Sequence, residues 1–396
     1  MNRTLIENVC LVFPGEKIER GGILFSEGVI EAVNPETKNI PEQTERVDGQ
    51  GLLLTPGLID LHTHGIKSSL YDHGPEAVKD GARNLPAFGV TGFFPTLAPH
   101  VESGFMEKLA RLAGTACDEK DARMPGLHLE GPFMAMTGAG CQTIHGDVGL
   151  LREIIAACGG RLKIMSVSPD TPGILPVIEC LVENGIAPFI THTRATVEQT
   201  EKAIAAGARH ATHFYDVFPA LPEFDPGVHT AGAVEAVLAD ERVSVDFIAD
   251  GVHVHPVVVR MALKAKGFQN VILITDSNIG AGLPSGIHDT PWGFPVKVEH
   301  GNGARIHDPK HPCHGGLAGS ALTMNLGIKN LSQWLNLPPE QVWAMGTSNP
   351  ARVAGLKGFG RLERNAPADA VLWDDDFQAV MTWIGGQLVW KAPSRP

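Results

Sequence analysis

The spacing of apolar residues divides the chain into two kinds of territory. Residues 5–54 carry short apolar runs (9–13, 22–25, 29–33 and 52–54) separated by Gly, Pro and Asn, as strands joined by tight turns do. The last stretch repeats the pattern at residues 370–373, 379–384 and 387–390, with Gly385-Gly386 as a hairpin turn between the last two. Between these ends, apolar runs at residues 58–64, 91–98, 126–131, 162–168, 188–193, 211–215, 243–250 and 271–276 read as strands. Segments of helical period at 76–88, 103–116, 149–157, 174–184, 197–206, 232–238 and 256–266 separate them, and another follows at 320–334. Eight alternations of this kind predict an α/β fold, a (β/α)8 TIM barrel over residues 56–356. Residues 1–55 and 357–396 are expected to pair into a small β-sandwich domain built from both chain termini. Residues 279–319, rich in Gly, Pro and His, read as an insertion with a hairpin at 294–306.

Composition narrows the function classes. With 396 residues of which 43% are hydrophobic, the chain can bury a large core, and disorder is excluded. The formal charge is −12 and no basic run occurs, so the positive stripe that nucleic acid requires is missing. No stretch approaches the ~20 apolar residues of a membrane span, and the first residues hold no apolar signal core, so a soluble cytoplasmic protein acting on a small molecule is expected. The six cysteines show no paired spacing, which fits reduced thiols; Cys141 is read as structural.

Histidine is the unusual residue, with 17 in the chain, many at the ends of apolar runs. In a barrel of this type the catalytic groups sit where strands give way to loops on one face. Strand one ends in His62-Thr63-His64, strand three in His128-Leu129-Glu130, strand five in His192, strand six in His213, strand seven in Asp250-Gly251-Val252-His253 and strand eight in Asp276. Alternation turns His62 and His64 to the same side, so both imidazoles can converge on one ion. Glu130, His192 and His213 would complete a nitrogen and oxygen site for zinc or a similar divalent ion. Asp276 can bind the metal or take a proton from water held by it. Each residue has a duller reading, a hydrogen-bonded core histidine or a paired carboxylate; their joint collection on one face favours a metal site. No phosphate-binding glycine loop, Gly-x-Ser-x-Gly elbow or His-Glu-x-x-His helix is present, and Gly301-Asn302-Gly303 is a lone turn.

These segments are familiar as a set. Pro56-Gly57-Leu58-Ile59-Asp60-Leu61-His62-Thr63-His64-Gly65, His128-Leu129-Glu130-Gly131-Pro132-Phe133, Ala211-Thr212-His213-Phe214-Tyr215, Asp250-Gly251-Val252-His253 and Ile274-Thr275-Asp276 resemble the amidohydrolase superfamily, and within it the N-acetylglucosamine-6-phosphate deacetylases. Leu317-Ala318-Gly319-Ser320-Ala321-Leu322-Thr323-Met324 extends the resemblance towards the C-terminus. By that resemblance Glu130, His192 and His213 hold one metal, His62 and His64 allow a second, and Asp276 is the base that takes the proton of the attacking water and passes it to the leaving amine. His253 hydrogen-bonds the substrate near its carbonyl, and a homodimer is implied.

The chain departs from the family on the substrate side. Where the deacetylases carry an arginine that clamps phosphate across the subunit interface, Phe224 stands in Glu223-Phe224-Asp225-Pro226-Gly227. Asp216 and Val217 replace the family's Asn and Ala after strand six, and Thr137-Gly138-Ala139-Gly140-Cys141 replaces a Lys-Gly-Ala-His segment, leaving Gln142 or His145 as stand-ins at the substrate. Arg194 stands where the family usually has Asn, two residues past His192 on the same expected strand face. It is read as holding an anionic substrate group, against a surface ion pair with Glu198. The leading expectation is deacetylation of an N-acetyl amino sugar or its 6-phosphate. An N-acyl amino acid or cyclic amide hydrolase, and a non-catalytic sugar- or metal-binding protein, are the alternatives.

Overall fold

The computed structural model describes residues 3–393 apart from 37, 39, 138–141, 291, 300 and 302, so Cys141, Asn302 and the glycines before Cys141 lie outside the described residues. Eight parallel strands form the barrel: β1 (Leu58–Thr63), β2 (Val90–Leu97), β3 (Leu127–Glu130), β4 (Leu162–Val167), β5 (Ala187–Ile190), β6 (His210–Ala211), β7 (Ser244–Ile248) and β8 (Val271–Ile274). Every residue of β1, β2, β3, β7 and β8 is buried, as expected of strands covered on one side by helices and on the other by the barrel interior. The ring closes just beyond β8, where the Asp276 N–H donates to the His62 carbonyl at 2.8 Å and Ser277 bridges Thr63.

Two of the surrounding helices begin where short polar side chains satisfy free N–H groups. Asp147 caps Val148–Cys158, and Thr196 with Gln199 forms a capping box at Val197–Ala206. Two helices, Pro339–Gly346 and Ser348–Val353, lie outside the elements expected from the pattern; at 8 and 6 residues they are too short for a period to register. The expected insertion is a sheet of Gly286–His288, Val296–Glu299 and Gly303–Ile306 around its own core of Phe294, Val296, Val298 and Ile306.

The chain ends meet in one eight-stranded sheet. Strand Arg3–Phe13 changes register between Ile6 and Val9, at a left-handed Asn8 (φ 56°). Its first half pairs in parallel with Glu45–Asp48 and its second with Leu53–Pro56, which then pairs antiparallel with Ala370–Trp373. A separate core of Ile6, Leu11, Phe25, Leu54, Leu372 and Trp383 fills this unit. Arg123, on the segment before β3, ties barrel to sheet: Nε and Nη2 donate to the Asp369 carboxylate at 2.8 and 3.0 Å, and Asp369 also accepts from the Gly385 N–H at 2.7 Å. Asp369→Ala leaves a half-buried guanidinium and a turn N–H without their acceptor. It is expected to cost about 2 kcal/mol, read as a lowered midpoint in urea unfolding.

The predicted strands overrun the observed ones at three functional positions. β5 stops at Ile190 instead of residue 193, β6 at Ala211 instead of 215, and β8 at Ile274 instead of 276. His192, His213 and Asp276 have φ of 47°, 34° and 45°, so the backbone leaves the extended conformation at each of them. Arg194 therefore does not share a strand face with His192.

Candidate metal centre

The turns that end β5, β6 and β8 aim His192, His213 and Asp276 at the axis, where they meet His62 from β1, His64 just beyond it and Glu130 from the end of β3. All six side chains are buried. The Glu130 carboxylate divides between two nests of imidazole. Oε1 lies 3.1 Å from His192 Nε2 and 3.0 Å from His213 Nε2. Oε2 lies 3.3 Å from His64 Nε2 and 3.8 Å from His62 Nε2. Asp276 Oδ1 closes the second nest at 3.2 Å from His64 Nε2 and 3.5 Å from His62 Nε2, and those two nitrogens are 3.3 Å apart.

The orientation of these rings is set from outside the cluster. His62 Nδ1 is 3.0 Å from the Thr212 hydroxyl, which donates to Asp246 Oδ1 at 3.2 Å. Asp246 Oδ1 also accepts from the backbone N–H of His213, and its Oδ2 meets His210 Nε2 at 2.8 Å. One buried carboxylate on β7 thus steadies a ligand-type residue in each nest. Below the cluster His128 is not part of it: its two ring nitrogens meet the Leu61 carbonyl and the Ser166 hydroxyl. Asp246 and Thr212 are the residues that sequence reasoning missed, because buried Asp and Thr within apolar strands carry no spacing signal of their own.

The cluster demands positive charge. Burial alone would push the Glu130 and Asp276 carboxyls up, but the neighbouring imidazoles outweigh it and hold both below the usual carboxylate range. Burial would likewise depress the imidazoles, yet the same carboxylates raise His64 well above its ordinary value and His213 to about 10. Two ionised acids facing four imidazole nitrogens with their Nε2 atoms turned inward are the donor set of a divalent cation of the zinc type. The residues fit such an ion, and the groups His62, Glu130, His213 and His62, His64, Asp276 each gather ligand atoms within 4.8 Å of one another.

His253 lies beside the cluster, near enough for the charges of Asp216 and Asp276 to act on it. Its Nδ1 donates to Asp250 Oδ2 at 2.7 Å, while Asp250 Oδ1 accepts the N–H groups of Val252 and His253. Burial would lower the His253 pKa, but Asp250 outweighs it and raises it. The raised value means that protonation of this ring stabilises the fold at low pH and is lost as pH climbs through the folded pKa. Asp250→Asn is expected to bring that titration to lower pH, as followed by the imidazole resonances of His253.

The remaining substrate-side candidates are less gathered. Asp216 is half-buried, and its carbonyl lies 3.4 Å from His213 Nδ1. Val217 takes φ of 54° and accepts the Thr193 N–H through its carbonyl. Gln142 Oε1 is occupied by the Val101 N–H at 2.7 Å, and His145 is exposed. Arg194 is exposed with no side-chain partner among the described residues, and the expected ion pair with Glu198 is not formed, Glu198 pairing instead with Lys202 at 2.7 Å. Phe224 is 75% exposed on the loop after β6.

The profile of the amidohydrolase family matches residues 53–389. The chain is 33% identical to an N-acetylglucosamine-6-phosphate deacetylase of Vibrio furnissii over 87% of this chain and 84% of that one. It is 30% identical to an N-acetylgalactosamine-6-phosphate deacetylase of Escherichia coli O157:H7, covering 92% and 93% of the two chains. Among solved structures, the N-acetylglucosamine-6-phosphate deacetylase of Thermotoga maritima superposes with a TM-score of 0.80 at 26% identity, over 98% of this chain and 100% of that one.

Proposed function

We propose, from the premise that this chain belongs to the amidohydrolase family, that it removes the acetyl group of an N-acetyl amino sugar or its 6-phosphate by metal-dependent hydrolysis of the amide. The names of its relatives support this substrate class. The observation that carries the reaction type is the split of Glu130 between two imidazole nests, with Asp276 facing one of them.

His62, His64, Glu130, His192, His213 and Asp276 would hold one or two divalent ions, with zinc suited to the donor set. When bound, such an ion lowers the pKa of water towards ~7 and polarises the amide oxygen. Asp276, kept ionised by its imidazole neighbours, accepts the proton of the attacking water and returns it to the leaving nitrogen, so that the amine departs neutral. His253, anchored through Nδ1 by Asp250, keeps Nε2 for the substrate near its carbonyl. The barrel wall buries all six ligand-type side chains, which strengthens each of these interactions. Among the described residues no helix is long and apolar enough to cross a membrane; a cytoplasmic homodimer accords with the family reading.

The test couples elemental analysis of the purified protein to free-amine detection on phosphorylated and unphosphorylated N-acetyl sugars. Metal-dependent release of amine from an N-acetyl amino sugar is the expected result. Turnover confined to N-acyl amino acids or cyclic amides would overturn the sugar assignment.

A further inference from the structure

A cavity of about 460 Å³ opens at the end of the barrel opposite the metal centre. Ala187, His210 and Ser244 in its lining start β5, β6 and β7, whereas the metal-centre residues gather at the far ends of the strands. Three arginines line it from separate elements: Arg209 ahead of β6, Arg242 ahead of β7, and Arg352 on helix Ser348–Val353. No Asp or Glu lines it, although the chain as a whole has a net charge of −12.

Each guanidinium is held by the protein and keeps donors to spare. Arg209 Nη1 donates to the carbonyls of Ile204 and Ala208, and Arg352 Nη2 to the Gln269 carbonyl and Asn270 Oδ1. Arg242 Nε and Nη2 donate to the Asp240 carboxylate at 2.9 and 2.5 Å. Arg209 Nε and Nη2, Arg352 Nε and Nη1, and Arg242 Nη1 have no acceptor among the described residues. Asp240 neutralises Arg242, but neither Arg209 nor Arg352 pairs with a carboxylate among the described residues. Burial lowers the Arg352 pKa, and no acid offsets it. The carbonyl end of helix Val197–Ala206 brings partial negative charge to the same place, and Arg209 covers it through Ile204. Two positive charges are left over.

We propose that this cavity is a second ligand site, which takes a small phosphate monoester that the metal centre does not turn over. The head group carries close to two negative charges at neutral pH, which match the two unneutralised guanidinium groups. Its oxygens point in tetrahedral directions and can accept from arginines that come from three different elements, whereas a planar carboxylate matches a single fork. The organic body has an apolar rim to lie on, formed by Val353 and by Val182, which is 45% exposed. The length of the strands separates the bound ester from Glu130 and Asp276, so it is held apart from the reacting groups.

The test is calorimetric titration of the metal-loaded protein with glycerol 3-phosphate, for the wild type, Arg209→Met, Arg352→Met and the double variant. Wild type is expected to bind saturably, and more weakly as salt is raised, since all three arginines are exposed. Each single variant is expected to lose about tenfold in affinity and the double variant about a hundredfold, the usual worth of hydrogen bonds to a charged group. A measurement on wild type alone covers the case of a variant that does not fold. Phenylglyoxal labelling of Arg209 and Arg352, followed by peptide mass, should slow about tenfold when glycerol 3-phosphate is present at ten times its Kd. No saturable binding by wild type, unchanged affinity in the double variant, or undiminished labelling of the two arginines would each overturn the site. Succinate bound as tightly as glycerol 3-phosphate would overturn the choice of a phosphate monoester. None of these measurements reads amine release, so the result is independent of the deacetylase reading.

Discussion

Glu130→Gln is expected to empty both halves of the metal centre and to reduce kcat by more than about 10⁴-fold. Among the described residues this carboxylate is the one group that faces all four imidazoles, with one oxygen turned to His192 and His213 and the other to His62 and His64. Glutamine keeps the volume, so packing in this fully buried site is retained and the variant folds. It cannot keep the charge: an amide offers one oxygen, and its nitrogen is a donor turned at ring nitrogens that must present lone pairs to a cation. Elemental analysis before and after dialysis should show the metal lost, with the thermal midpoint measured alongside to separate loss of the ion from loss of the fold. A glutamine variant that keeps its full metal content and turnover would remove Glu130 from the centre of the scheme.

Asp276→Asn is expected to keep metal and lose turnover by about 10²–10⁴-fold, the usual contribution of a positioned general base. The other five side chains would remain to hold metal, while the proton acceptor is gone. The pH dependence carries the sharper reading. In the metal-free cluster the imidazoles of His62 and His64 outweigh burial and hold the Asp276 carboxyl below the ordinary range, and a bound cation would hold it there in their place. Activity that depends on the ionised form is therefore present at neutral pH and lost only as pH falls through that lowered value. In the asparagine variant this acid limb should vanish from the residual kcat profile. An unchanged limb would assign it to another group, and unchanged turnover would favour a binding protein over an enzyme.

Much of this architecture is legible in the chain because the barrel writes itself as repetition. Strands buried on both faces give unbroken apolar runs, and the residue types His, Glu and Asp stand out where those runs end. The termini are readable for a similar reason, since short alternating segments with Gly385-Gly386 between two of them specify a hairpin. What fails is the assumption that a strand continues through its last apolar residue. At His192 the backbone turns left-handed, so the alternation that placed Arg194 beside it ends two residues too early. No L-residue propensity announces such a turn, because the surrounding packing imposes it. The support of the rings is illegible for a different reason: Thr212 and Asp246 act through a contact across two strands, and nothing within either strand marks it.

The placement of strand Leu53–Pro56 between Arg3–Phe13 and Ala370–Trp373 has a consequence for synthesis. One edge of it has no partner until the closing segment leaves the ribosome, after the whole barrel has been translated. Throughout that interval the nascent chain carries an open template for intermolecular pairing. Strand Ala370–Trp373 acts as the latch on a strand made more than three hundred residues before it.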